Sequence, residues 1–93
     1  MKFQVQNTKF VKSPLDGSLM VTGEVINFSG KPFNAVCFRM VLFAKHLPLA
    51  NVTFTLNGLG VGQTKQFEVR IGELEYSTVP QITRCDTYVE SCY

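Results

Sequence analysis

From Lys65 to Ile71 the chain reads Lys-Gln-Phe-Glu-Val-Arg-Ile, and from Gln66 onward polar and apolar residues alternate strictly. Successive side chains of a β-strand point to opposite faces, so such a run buries one face and wets the other. Phe67, Val69 and Ile71 are assigned to the inside, and Gln66, Glu68 and Arg70 to the outside. The same period recurs along the whole chain. No window sustains apolar residues at i, i+3, i+4 and i+7, the stripe an amphipathic helix requires. The 93 residues are therefore expected to be all-β and to form a single domain, residues 1–93.

Turn chemistry divides the alternation into segments. Phe3 and Val5 alternate with Gln4 and Gln6, and the run continues through Phe10 and Val11 to "SPLDGS". There Pro14 fixes φ and the Asp16-Gly17 pair tolerates positive φ. "SLMVTGEVINF" places Leu19, Val21, Gly23 and Val25 on one face, and "NFSGKPFN" breaks it. "AVCFRMVLFA" puts Val36, Phe38, Met40 and Leu42 on one face and Cys37, Arg39, Val41 and Phe43 on the other. "KHLPL" is read as a connection to "ANVTFTLN", in which Val52, Phe54 and Leu56 alternate with polar neighbours. "GELEYSTVP" is read as turn and irregular chain, and "QITRCDTYVES" as a last strand. About seven short strands with turn signals every ~8–12 residues describe a sandwich of two antiparallel sheets.

Charge excludes some partners. Nine basic and seven acidic residues give a net charge of +2, and the basic ones are dispersed, so no nucleic-acid footprint is expected. No apolar run approaches the ~18–20 residues of a membrane span. The N-terminus lacks the continuous apolar stretch of a signal peptide, which fits either a cytoplasmic protein or a mature or excised segment.

"TLNGLGVGQTK" has the look of a phosphate loop, yet Gly58, Gly60 and Gly62 are spaced by two and Lys65 opens a strand. A phosphate loop needs two glycines five apart and a helix N-terminus after them. Asn57-Gly58 is instead expected to begin a turn, with Gly60 and Gly62 supplying permissive φ in a connection between strands. His46 is the only histidine and has no nearby metal-ligating companions. Cys37 lies between Val36 and Phe38, an apolar setting that does not activate a thiol. Glu73 and Glu75 share a turn, but sugar chemistry also needs stacking aromatics and the chain has no Trp. No catalytic residue, metal ligand or cofactor is expected, and the chain is not read as an enzyme.

Three cysteines are an odd number, so at least one is free or intermolecular. A bridge between Cys85 and Cys92 requires a turn inside "DTYVES", since a straight strand would hold them ~23 Å apart. Cys37 with Cys85, on neighbouring strands, is the alternative. Asn27-Phe28-Ser29 and Asn51-Val52-Thr53 match the N-glycosylation pattern. The hydrophobic surplus is the remaining signal. With Phe38, Met40 and Leu42 inside, Val41 and Phe43 face outward, together with Ile26 and Phe28 from the neighbouring strand, as a partner surface.

The block from Leu19 to Ile71 resembles the FxLYD family of small bacterial and archaeal β-sandwich domains. Gly23, Val25, Asn27 and Ser29 match its opening G-x-V-x-N-x-S strand. Met40 to Ala44 stands at the signature strand with Leu42 identical, Phe43 for the tyrosine and Ala44 for the aspartate. Leu59, Gly62, Gln63, Thr64 and Phe67 match the later turn and strand, with Val61 in place of proline. The resemblance implies an immunoglobulin-like sandwich of an extracytoplasmic or envelope protein, with no catalytic residues to carry over. A water-stress-type sandwich family and other bacterial immunoglobulin-like modules are also similar.

The expected function is a non-catalytic interaction or adhesion-type module. It would bind a protein partner or a second copy through the Val41/Phe43 face or by strand addition at an exposed edge. The runner-up is a small-ligand or carbohydrate binder using the loop aromatics Phe33 and Tyr76.

Overall fold

The computed structural model describes residues 3–93. Six strands run β1 (Phe3–Lys12), β2 (Ser18–Asn27), β3 (Phe33–Ala44), β4 (Leu47–Leu59), β5 (Thr64–Glu75) and β6 (Arg84–Cys92), with a 3-10 turn at Tyr76–Gln81. They form two antiparallel sheets, ordered β1-β2-β5 and β4-β3-β6, packed face to face. The two-sheet sandwich expected from the alternation is the fold observed. Among the described residues no helix is long and apolar enough to cross a membrane.

Several strands run further than their local signals. "KHLPL" is not a loop: β3 turns into β4 across Lys45-His46 alone, with Ala44 opposite Leu47 and Lys45 at φ 58°. Nor does Asn57-Gly58 begin a turn, because β4 continues to Leu59 and absorbs Gly58 at φ 68°. The turn lies at Gly60-Val61-Gly62-Gln63, closed by the Gln63 amide donating to the Gly60 carbonyl at 3.1 Å. Gly62, at φ 70°, holds the third place, where a type II turn requires positive φ. The glycine stretch is thus a connection between two strands.

Inner faces follow the period-2 pattern. Leu19, Val21 and Val25 of β2, Val36, Phe38, Met40 and Leu42 of β3, and Phe67, Val69 and Ile71 of β5 are buried. Five phenylalanines run through this core as a row that crosses between sheets. Phe33 meets Phe3 at 5.8 Å, Phe3 meets Phe38 edge-on at 5.8 Å, Phe38 stacks on Phe54 at 5.3 Å, and Phe54 stacks on Phe67 at 4.8 Å. Such ring pairs add ~0.5–1.5 kcal/mol each beyond their area. Gly23 makes room at the end of the row: a Cβ there would stand 2.7 Å from Phe67 Cζ.

One pole of the sandwich is closed by Asn27, which is fully buried. Its Nδ2 donates to the carbonyls of Lys31 at 2.7 Å, Gly60 at 3.1 Å and Leu59 at 3.2 Å. Its Oδ1 accepts from the amide and the hydroxyl of Ser29. One side chain therefore ties the crossover between sheets, residues 28–32, to the β4–β5 turn. Gly23→Ala should cost about 1–3 kcal/mol through overpacking, read by urea unfolding. Adding Phe67→Leu should recover part of that loss, the signature of a coupled pair. Asn27→Ala should cost about 2–3 kcal/mol by stranding several buried partners. Asn27→Asp should cost more, because its carboxylate would face three carbonyl oxygens.

Candidate functional site

The four residues expected to form one outward apolar face do not share a surface. Val41 and Phe43 point outward from β3, whereas Ile26 points outward from β2, in the opposite sheet. The reason is the crossover at residues 28–32: β2 and β3 are consecutive in sequence but are not hydrogen-bonded neighbours. The outer side of β3 is also dressed with polar groups. Arg39 pairs with Glu90 and donates to Asn51 Oδ1 at 2.9 Å. The Arg84 guanidinium lies over the Phe43 ring at 4.2 Å, and Val41 sits between Asn51 and Asp86 in register. Of the four, only Phe28, 60% exposed, borders an opening in the fold.

That opening runs along one side of the sandwich. On the other side β4 and β5 are joined by the tight turn at residues 60–63. On this side β1 and β6 are both outermost strands, and a groove of about 870 Å³ lies between them. Phe3, Val5 and Phe28 line it from one flank and Cys85 through Val89 from the other. Val5, Cys85 and Val89 are half-buried against the core, so the floor is largely apolar, with Gln4, Thr8 and Asp86 among the polar residues that line it. The strand order explains the gap. In an immunoglobulin-type sandwich strand A pairs B, B pairs E, and F lies between C and G. β1-β2-β5 and β3-β6 supply A-B-E and C-F, and β4 flanks β3 on its other side. Among the described residues no strand takes the place of G, so β6 pairs with β3 on one edge only.

The thiols are not bridged. Cys85 and Cys92 stand at opposite ends of β6, whose one register shift does not reverse the strand, ~23 Å apart at ~3.3 Å per residue. The turn that a bridge needs is absent, and all three cysteines are free. Cys37 faces outward opposite Ser91 while Cys85 faces inward opposite Leu42, so that pair does not meet either. Burial, and then the neighbouring Asp86 carboxylate, push the Cys85 thiol up to about 11.

His46 is exposed in the β3–β4 turn, and among the described residues no three His, Cys, Asp or Glu gather as a metal site. Phe33 is packed on Phe3. Tyr76 lies at the opposite pole, where its amide bonds the Gly17 carbonyl, so these two aromatics offer no shared platform for a sugar. Of the two glycosylation-type asparagines, Asn27 is buried and Asn51 is exposed.

Sequence reasoning missed the groove because alternation names a strand's faces but not its neighbours. A signal was present in β6, whose inward residues Cys85, Thr87 and Val89 form a thinner apolar face than any other strand's. Comparison with family models, curated proteins and solved structures finds no match for this chain. A thiol at about 11 is ~0.1% ionised at pH 8, against roughly a quarter for an ordinary cysteine. Since a more basic thiolate is also more nucleophilic, Cys85 should react with iodoacetamide at least about tenfold more slowly than free cysteine, read by mass spectrometry.

Proposed function

We propose that the chain is a non-catalytic interaction module that recognises an extended polypeptide by strand addition at the free edge of β6. The observation that carries this reading is the coincidence of an unpaired strand edge with an apolar groove directly beside it. Main-chain hydrogen bonds to β6 would supply affinity, and alternate side chains of the added strand would lie over Phe3, Val5 and Val89. The lining comes mostly from successive residues of two strands, Phe3 to Val5 and Cys85 to Val89, which suits an extended chain better than a compact small molecule. The likeness to FxLYD domains, and with it an adhesion-type role in a bacterial or archaeal envelope protein, belongs to the same proposal.

The test is a fluorescence-anisotropy titration with a fluorescein-labelled octapeptide of alternating Val and Thr, at protein concentrations where the chain is monomeric. A saturable rise is expected. Thr87 faces the groove, opposite buried Met40, so Thr87→Lys should weaken binding at least about tenfold by placing an inward charge on the edge. No saturation up to ~1 mM, or a Thr87→Lys curve matching the parent, overturns the reading.

A further inference from the structure

We infer that the occupant of the β6 edge is β6 of a second copy, paired antiparallel about a two-fold axis at Thr87. This inference rests on the strand-addition reading above and names its partner.

The four outermost strands differ in how their edges are protected. Proteins blunt exposed edges with proline, lysine, bulges or inward-pointing charge. β4 carries Pro48. β1 carries Lys9 and Lys12 and is broken by a register shift between Gln6 and Lys9, with Asn7 at φ 55°. β5 carries Lys65 and joins β4 through the tight turn. β6 carries no proline or lysine, its register is unbroken from Arg84 to Val89, its charged residues Arg84, Asp86 and Glu90 lie off its inward face, and the inward Cys85, Thr87 and Val89 bear no charge. Its one irregularity falls between Val89 and Ser91, at the far end.

The charges along β6 are complementary to their own two-fold copy. Pairing about Thr87 sets Arg84 opposite the partner's Glu90, and Glu90 opposite the partner's Arg84. Asp86 then faces the partner's Tyr88, whose hydroxyl donates to Asp86 of its own strand at 3.3 Å and would have to exchange that acceptor for the one across the seam, and Cys85 faces the partner's Val89. Moving the axis to Asp86 sets that carboxylate against its own copy. Moving it to Tyr88 sets Asp86 against the partner's Glu90. Both alternatives place like charges directly opposite, which is destabilising. The groups for the favoured register are available. Glu90 uses Oε1 toward Arg39, leaving Oε2. Arg84 uses Nε toward Asp86 and stacks its guanidinium plane on Phe43, leaving the terminal N–H groups of its donor fork.

Pairing also covers the groove. A strand added to β6 occupies the place of G, so the inward Cys85, Thr87 and Val89 of the partner subunit fall over Phe3, Val5 and Phe28. By symmetry both grooves close at once. A closed two-fold interface also leaves no β6 edge free for further growth.

The experiment is analytical ultracentrifugation with a thiol reductant, which excludes dimers linked through the free cysteines. The parent chain should dimerise reversibly. Arg84→Glu and Glu90→Arg should each weaken dimerisation at least about tenfold, because each turns two attractive pairs into two repulsive ones. Mixed one to one, these two variants should form a heterodimer, since both cross-strand pairs between positions 84 and 90 then join one acidic and one basic side chain. A mixture that stays monomeric, or a parent dimer unmoved by either reversal, overturns the inference.

Should either variant be unfolded by circular dichroism, amide hydrogen exchange of the parent across a concentration series gives the answer instead. Protection of Asp86 to Val89 that rises with concentration supports the dimer; concentration-independent exchange there rejects it. A chain that stays monomeric yet binds the Val/Thr peptide removes self-pairing and leaves strand addition standing. Loss of peptide binding in the monomer removes the parent reading itself.

Discussion

The sandwich is organised by Phe67 lying against Gly23. Phe67 belongs to the β1-β2-β5 sheet but stacks on Phe54 of the opposite sheet, and it can do so because its neighbour on β2 has no Cβ. From that contact the row of rings continues through Phe38 and Phe3 to Phe33. Each ring in the row fixes the position of the next, so the two sheets are locked in relative position by interdigitation rather than by area alone. Aliphatic residues on the same inner faces then fill the space on either side.

This arrangement closes the fold unequally. The β4–β5 side is bound by a four-residue turn, and the adjoining pole by the Asn27 side chain. The β1–β6 side has no such connection, and its strands face each other across a groove. The molecule therefore has a bound spine and an open fore-edge. Apolar surface and a strand edge with no neighbouring strand among the described residues occur together at that fore-edge.

Much of the fold is legible in the sequence, and the limits of that legibility are physical. Alternation in "AVCFRMVLFA" and "KQFEVRI" assigns inner and outer residues correctly because the side-chain period of a strand is fixed by its backbone. Alternation says nothing about which strand lies alongside, so it groups Ile26 and Phe28 with Val41 and Phe43 across a crossover that separates them. Local turn chemistry also yields to pairing. Gly58 and "KHLPL" carry breaker residues, yet β4 takes in Gly58 and all of "KHLPL" after the two-residue turn Lys45-His46, because eleven residues of β3 find partners along it. Asn27 is legible as a motif residue and a glycosylation-type asparagine; its burial becomes visible only when a turn more than thirty residues away supplies its acceptors. The groove is the least legible feature, since it is defined by two strands at opposite ends of the chain.

The buried Asn27 amide also sets an order in time. Its nitrogen is the atom to which a sugar would be attached at Asn27-Phe28-Ser29, and in the folded chain its hydrogens are divided among three carbonyls inside the closed pole. A glycan could be attached there only while the polypeptide is still unfolded, and its bulk would then prevent the crossover from seating. Asn51, on the outer side of β4, remains presentable after folding. The two sequons are thus not equivalent: Asn51 stays exposed in the finished domain, whereas a sugar on the Asn27 nitrogen would be incompatible with the closed pole.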